Sequence, residues 1–128
     1  TIEDTGIVLG QAIRKAVGDK KGIVRYGSQI LPMDESLVLC ALDLCGRPYL
    51  VWDLVLDRKS GDLETEMVRE FFYAVSYGAE MNLHLKQLSG TNNHHIIEAA
   101  FKAFAKALDG AVAAEPRLSG VLSTKGSL

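Results

Sequence analysis

Long hydrophobic runs are missing from these 128 residues, and with them the ~20 consecutive apolar positions a helix needs to cross a bilayer. The best stretches, Leu37 to Leu42 and Leu54 to Leu56, are cut short by charged or turn residues. A dominant charge is missing too. Lys and Arg total 14 against 16 Asp and Glu, and a net charge of -2 gives no field to draw nucleic acid or an anionic membrane, so neither partner is expected. Cysteine is scarce: Cys40 and Cys45 lack C-x-x-C spacing and cannot staple a secreted scaffold. Their separation would suit the two sides of a tight hairpin, but they are read as reduced thiols of a cytoplasmic protein. The chain also lacks a start methionine and a basic, apolar leader; it opens Thr-Ile-Glu-Asp, as a processed protein or a piece of something longer would.

What is present suffices for one compact domain, because 48% of the residues are apolar. Ile2, Gly6, Ile7, Gly10, Ile13 and Val17 recur at helical spacing, which predicts a helix over about 2–17 that ends near Gly18. Gly22 to Ile30 reads as a short strand, and Leu31-Pro-Met-Asp-Glu as a loop with two adjacent acids. Leu37 to Leu44 and Tyr49 to Leu56 read as strands joined into a hairpin by Cys45-Gly46-Arg47-Pro48. After the polar punctuation Lys59-Ser-Gly-Asp, a second helix shows Met67, Val68, Phe71, Phe72 and Val75 on one face and ends at Gly78. Met81, Leu83 and Leu85 alternate with Asn82, His84 and Lys86 as in a half-buried strand, in which His84 is an ordinary surface residue. A last helix, capped by Asn92 or Asn93, carries Ile97, Ala100, Phe101, Phe104 and Leu108 as its buried stripe and stops by Pro116. Arg117 to Leu128 is small and polar, a mobile tail by composition alone.

A weak internal repeat links the two ends of this plan. Ile2-Glu3 matches Ile97-Glu98, and at the same offset Ala12-Ile13 falls on Ala107-Leu108. The two positions before Thr1 would then correspond to His94 and His95, as in a duplicated architecture whose first copy lacks its front.

His94-His95-Ile96-Ile97-Glu98 is the motif with chemistry in it. On a helix, His94 and Glu98 are four apart and His95 and Glu98 three apart, so both imidazoles can share a face with the carboxylate. Adjacent histidines project about 100° apart and more readily serve two neighbouring ions than one. Nitrogen and carboxylate donors suit Zn, Mn, Fe, Co or Ni alike. The plainer reading is two solvated histidines capping a helix, with a Glu98 to Lys102 surface pair. Glu3 can equally be an acid favoured by the positive end of its helix, and Arg25 and Arg47 plain charges at strand ends.

Taken in order, Thr1-Ile-Glu-Asp, Gly22-Ile-Val-Arg-Tyr-Gly, Pro32-Met-Asp-Glu, Leu42-Asp-Leu-Cys-Gly-Arg-Pro-Tyr, Glu70-Phe-Phe, Leu83-His-Leu, Gly90-Thr-Asn-Asn-His-His-Ile-Ile-Glu-Ala-Ala-Phe-Lys-Ala and Ser123-Thr-Lys-Gly resemble the imidazoleglycerol-phosphate dehydratase family of histidine biosynthesis. The resemblance implies an α+β two-layer sandwich, a small β-sheet with paired helices on one face, repeated as half-domains of the ribosomal protein S5 domain 2-like type. On that pattern residues 1–18 are the closing helix of a first half-domain whose remainder is absent, 19–114 the second half-domain and 115–128 a substrate-binding tail. It also implies two Mn2+ per active site, placed between subunits of a homo-oligomer of 24 chains built from trimers. Glu3, Glu70, His94, His95 and Glu98 correspond to metal ligands, with Glu3 and Glu98 also catalytic. Arg25, Arg47, His94, His95, Glu98, Lys102, Ser123, Thr124 and Lys125 correspond to contacts with a phosphorylated imidazole substrate.

The reaction implied is the dehydration of D-erythro-imidazoleglycerol phosphate to imidazole acetol phosphate. The hydrogen to be removed sits on carbon, so the imidazole ring must serve as electron sink, a task a Lewis acid assists. Without a complete ligand set the chain alone is expected to be inactive. Two other readings remain at this point: a metal-dependent hydrolase using HHxxE to activate water, and a metal-binding assembly module without catalysis.

Overall fold

A computed structural model describes residues 1–61 and 63–128; Asp62, the end of the predicted polar punctuation, lies outside the described residues. The elements run α1 (Ile2–Val17), β1 (Tyr26–Met33), β2 (Ser36–Asp43), β3 (Tyr49–Asp53), β4 (Lys59–Ser60), β5 (Leu63–Glu64), α2 (Glu66–Ala79), β6 (Asn82–Ser89) and α3 (Asn93–Val112). Four strands form one sheet in the order β1-β2-β6-β3, antiparallel except where β3 runs parallel to β6. The architecture is thus mixed α+β, with α3 and α2 against the sheet and α1 packed on α2.

Alternation explains the layer. Ser36, Val38, Cys40 and Leu42 of β2 and Leu83 and Leu85 of β6 are buried on the helix-facing side, while His84 is exposed between them on the other. Phe72 of α2 sits at the centre, in contact with Trp52, Phe101 and Phe104 at ring distances of 5.9, 4.8 and 5.5 Å. Cys40 and Cys45 are free and buried, and burial pushes the Cys40 thiol up to about 12.

Several expectations change. The predicted hairpin between β2 and β3 does not form, because β6 lies between them. Its Cys45–Pro48 link is pinned elsewhere: the Gly46 N–H donates to the Glu80 carbonyl (3.0 Å) and the Tyr49 N–H to that of Met81 (3.1 Å), so β3 starts alongside β6. The hairpin that does form joins β1 and β2 through Asp34 and Glu35, and Leu31, Pro32 and Met33, expected in a loop, are β1 residues. Proline is tolerated there because β1 is an edge strand. Residues 22–25 precede β1, held instead by an isolated bridge from Ile23 to Ala114.

Gly78 does not end α2; the helix continues to Ala79, and Glu80 closes it in the left-handed conformation. Gly78 is small because α1 crosses there: a Cβ on it would lie 3.0 Å from the Ile7 carbonyl oxygen and 3.1 Å from the Gly10 Cα. Gly6 and Gly10 return the contact against Phe71 and Val75. Ile2 and Ile7, which recur at helical spacing with the glycines, are each 36% exposed, as the glycine side faces α2. The buried stripe of α3 keeps the expected Ala100 and Phe104 but is otherwise rotated, to Ile96, Ala99, Ala103, Ala107 and Ala111, with Phe101 39% exposed. Small residues face the sheet because the helix lies almost on its backbone; a Cβ on Gly27 would overlap the Ala107 carbonyl.

Two stability measurements follow. Gly10→Val should cost about 2 kcal/mol or more in denaturant unfolding through overpacking of the α1–α2 contact. Gly110→Ala, with nothing within 4 Å of its new Cβ, should gain up to about 1 kcal/mol from helix propensity. In alkylation assays at mildly alkaline pH, Cys40 should stay unmodified until the chain unfolds.

Candidate functional site

The residues singled out from sequence fall into two clusters at opposite ends of α3. At its N-terminus Asn92 caps the helix, its side-chain oxygen accepting the His95 N–H at 3.1 Å. The following turn presents His94 and His95 with ring centroids 6.3 Å apart and planes at 70°, and the two imidazoles take different partners. His94 Nε2 meets Glu98 Oε2 at 2.9 Å, and Lys102 Nζ meets Glu98 Oε1 at 2.7 Å. Lys102 first, then His94, hold the Glu98 carboxyl below its ordinary value.

His95 turns to the β1–β2 hairpin instead. Its Nδ1 hydrogen-bonds Glu35 Oε1, and its Nε2 lies 3.5 Å from Asp34 Oδ2. Glu35 Oε2 in turn accepts from the Ser36 hydroxyl (2.6 Å) and from the N–H groups of Thr91 (2.7 Å) and Asn92 (3.1 Å). His95 is the largest cause holding the Glu35 carboxyl well below the usual range, and Glu35 the largest raising the imidazole. In the sequence Asp34 and Glu35 are two adjacent acids without an evident role; the tight β1–β2 hairpin brings them to α3.

Glu3 is exposed in the first turn of α1, and Glu70 sits on α2 with Arg69 Nη1 at 3.5 Å. Among the described residues no three His, Cys, Asp or Glu side chains converge on one point. One chain therefore offers partial donor sets: His94 with Glu98, His95 by its Nε2, and separate carboxylates on α1 and α2.

The second cluster lines a cleft of about 1180 Å³ beside the C-terminal end of α3. Arg25, Arg47, Ser123, Thr124 and Lys125 all face it, together with Arg14 and Lys20, which the sequence reading did not select. Lys102 does not, remaining with Glu98. Arg25 is the fixed point. Its Nε and Nη2 donate to Asp43 at 2.7 and 3.1 Å and its Nη1 to the Leu122 carbonyl at 2.5 Å, so three of its five N–H bonds are used and two remain. Asp43 raises the guanidinium further above its already high value.

The last residues fold back over the sheet end. The Gly22 N–H donates to the Gly120 carbonyl (2.9 Å) and the Glu115 N–H to that of Gly22 (2.7 Å), while Ser123 and Gly126 close a turn whose Lys125 N–H bonds the Ser123 hydroxyl at 3.1 Å. Composition favoured a loose tail; Arg25, reaching Leu122, is what the composition could not register. Lys20 is only 8% exposed, and among the described residues no carboxylate lies within 4 Å of Lys20, Arg47 or Lys125. A concave site with uncompensated cations and hydroxyl donors suits a phosphate-sized anion. Among the described residues no helix is long and apolar enough to cross a membrane.

Comparison with known proteins gives a consistent picture. The family model described as imidazoleglycerol-phosphate dehydratase matches residues 1–108. Proteins of that name from Lachnoclostridium phytofermentans and Acetivibrio thermocellus are 65% and 61% identical over the whole of this chain, which spans 66% of the length of each. Crystal structures of members from Staphylococcus aureus and Pyrococcus furiosus superpose with TM-scores of 0.86 and 0.89 at 46% and 38% identity, covering 88% and 99% of this chain and 67% and 69% of theirs.

Inorganic phosphate should stabilise the chain against thermal unfolding by about 1.4 kcal/mol at ten times its Kd, and Asp43→Ala, which releases Arg25, should reduce that gain. Equal stabilisation by chloride at matched ionic strength would show screening instead of a site.

Proposed function

The chain belongs to the imidazoleglycerol-phosphate dehydratase family, and from that premise we propose that it carries part of the machinery dehydrating D-erythro-imidazoleglycerol phosphate to imidazole acetol phosphate in cytoplasmic L-histidine biosynthesis. The observation that carries this reading is the division of two chemistries along one helix. His94 stands at one end of α3, and the cleft begins where Ala111 accepts the Arg25 N–H (2.8 Å) at the other. At 1.5 Å per residue these points are about 25 Å apart. One small substrate does not span that distance, which supports reading the imidazole site of one chain as completed by the phosphate cleft of another.

That argument favours a homo-oligomer, in the family's case the 24-chain assembly of trimers. The ligand inventory supports it independently. His94, His95, Glu98, Glu3 and Glu70 are chemically suited to two manganese ions, yet no three side chains from the set {His, Cys, Asp, Glu} meet among the described residues. The surface of α1 fits as well: it lies on α2 by its glycines and leaves Val8 64% and Leu9 39% exposed, as a closing helix of residues 1–18 between two half-domains would.

Bound manganese would supply Lewis-acid stabilisation of negative charge on the substrate's imidazole. The chain's own groups do the rest. Arg25, with two N–H bonds to spare, Arg47, Lys125 and the hydroxyls of Ser123 and Thr124 bind the phosphate, and Lys102 adds a cation beside the ring end. This anchors the reacting carbons without altering them, so binding energy is spent on orientation. Glu98, kept ionised by Lys102 and His94, and Glu3, exposed at the positive end of α1, are the carboxylates available to take the carbon-bound proton.

In the whole protein, Lys125→Ala should lower kcat/KM roughly tenfold or more by removing a charge-assisted contact, with manganese binding unchanged. Wild-type kcat/KM in that variant would show that the tail is no phosphate clamp.

A further inference from the structure

We propose that Glu35 is a positioning residue: by accepting the Nδ1 proton of His95 it fixes the tautomer and ring orientation of that imidazole, leaving the Nε2 lone pair for a metal ion. The proposal rests on reading His95 as a ligand, and goes beyond it by saying what prepares the ligand.

The two oxygens of Glu35 do different work. Oε2 is committed to the Ser36 hydroxyl and to the Thr91 and Asn92 N–H groups, which ties the carboxylate to both the β1–β2 hairpin and the entry to α3. Ser36 is itself 1% exposed, so this anchor is part of the core. Oε1 is left for His95. An ionised carboxylate can only accept, so the ring nitrogen facing it must donate, and in the neutral imidazole the remaining nitrogen then carries the lone pair. The backbone of His95 is held as firmly, through its N–H to Asn92. Its Nε2 points outward beside the exposed carboxylate of Asp34, 3.5 Å away, where positive charge is favoured. His94 has no such support: its side chain is 71% exposed, and Glu98 is its one ion-pair partner among the described residues. One of the two histidines is thus set in place by the fold before any ion arrives, and the other is not.

Glu35→Gln separates positioning from folding. The amide oxygen can keep the bonds from Thr91, Asn92 and Ser36, while the NH2 group now faces His95 and requires Nδ1 to accept, reversing the tautomer. The 128-residue chain, labelled with 15N at histidine, is measured without metal at a pH alkaline enough to leave the ring neutral. Wild type should show Nδ1 protonated and Nε2 bare, and Glu35→Gln the reverse. Manganese titrated into both proteins should bind the variant tenfold or more weakly, while the thermal midpoint of Glu35→Gln stays near wild type and that of Glu35→Ala falls. A wild-type spectrum with Nε2 protonated overturns the proposal without any variant, as does an unchanged tautomer or unchanged manganese affinity in Glu35→Gln. Equal manganese binding by wild type and His95→Ala would instead overturn the ligand reading on which it rests, and the metal-free spectrum tells the two failures apart.

Discussion

The seating of α3 flat across β1 and β2 is the constraint from which the rest of the molecule follows. It requires a run of alanines at 99, 100, 103, 107 and 111 on the helix and a glycine at 27 on the strand, because the two backbones approach to where a side chain would collide. Once seated, the helix delivers its N-terminal turn to the β1–β2 hairpin and its C-terminal turn to Arg25 and the folded-back tail. Both chemical clusters are therefore consequences of one packing contact. Their separation is fixed by helix length, and no local rearrangement can close it.

What was legible in the sequence divides along the same line. The HHxxE turn was readable because it depends only on helical geometry and a cap, both local, and the structure returns both. The order of strands was not readable. Cys45-Gly46-Arg47-Pro48 has the composition of a hairpin turn, but Gly46 and Tyr49 are claimed by carbonyls of Glu80 and Met81, more than thirty residues ahead in the chain. The stripe of α3 was misjudged because hydrophobic patterning weights Phe101 and Leu108 above alanine, whereas close packing on a sheet selects alanine. Gly78 reads as a helix end for a related reason: a glycine needed by a crossing helix looks like one needed by a turn. Lys20 belongs to no motif, and Glu35, the last residue of Pro32-Met-Asp-Glu, acquires its role only from a partner element distant in sequence.

The resemblance to a known family recovered the cluster in the cleft, which local reasoning could not have assembled. Arg25, Arg47 and Lys125 come from a strand entry, a connection and the tail, and Asp43 of β2 and Leu122 of the tail fix Arg25 between them. This is a bidentate pair in a half-buried place, with geometry that a lysine could not supply. It also couples the order of the tail to the sheet, so a change in Asp43 reaches the tail through a single guanidinium.

Backbone conformation adds a last step. Among the described residues four other than glycine adopt positive φ: Lys20 at 65°, Arg25 at 79°, Asp34 at 49° and Glu80 at 54°. Such conformations cost roughly 1 kcal/mol apiece relative to glycine, and stability alone would replace them. Lys20, Arg25 and Glu80 all line the cleft, and Asp34 faces His95. Glycine does occupy comparable conformations nearby, at Gly18, Gly22 and Gly46, so the chain uses the cheaper residue where no side chain is wanted. Where it does not, the side chain is a cation in the cleft, the carboxylate that pairs with Arg14 there, or the acid beside His95. Among the described residues this strain falls in the two clusters, at the ends of elements that α3 and the tail bring together.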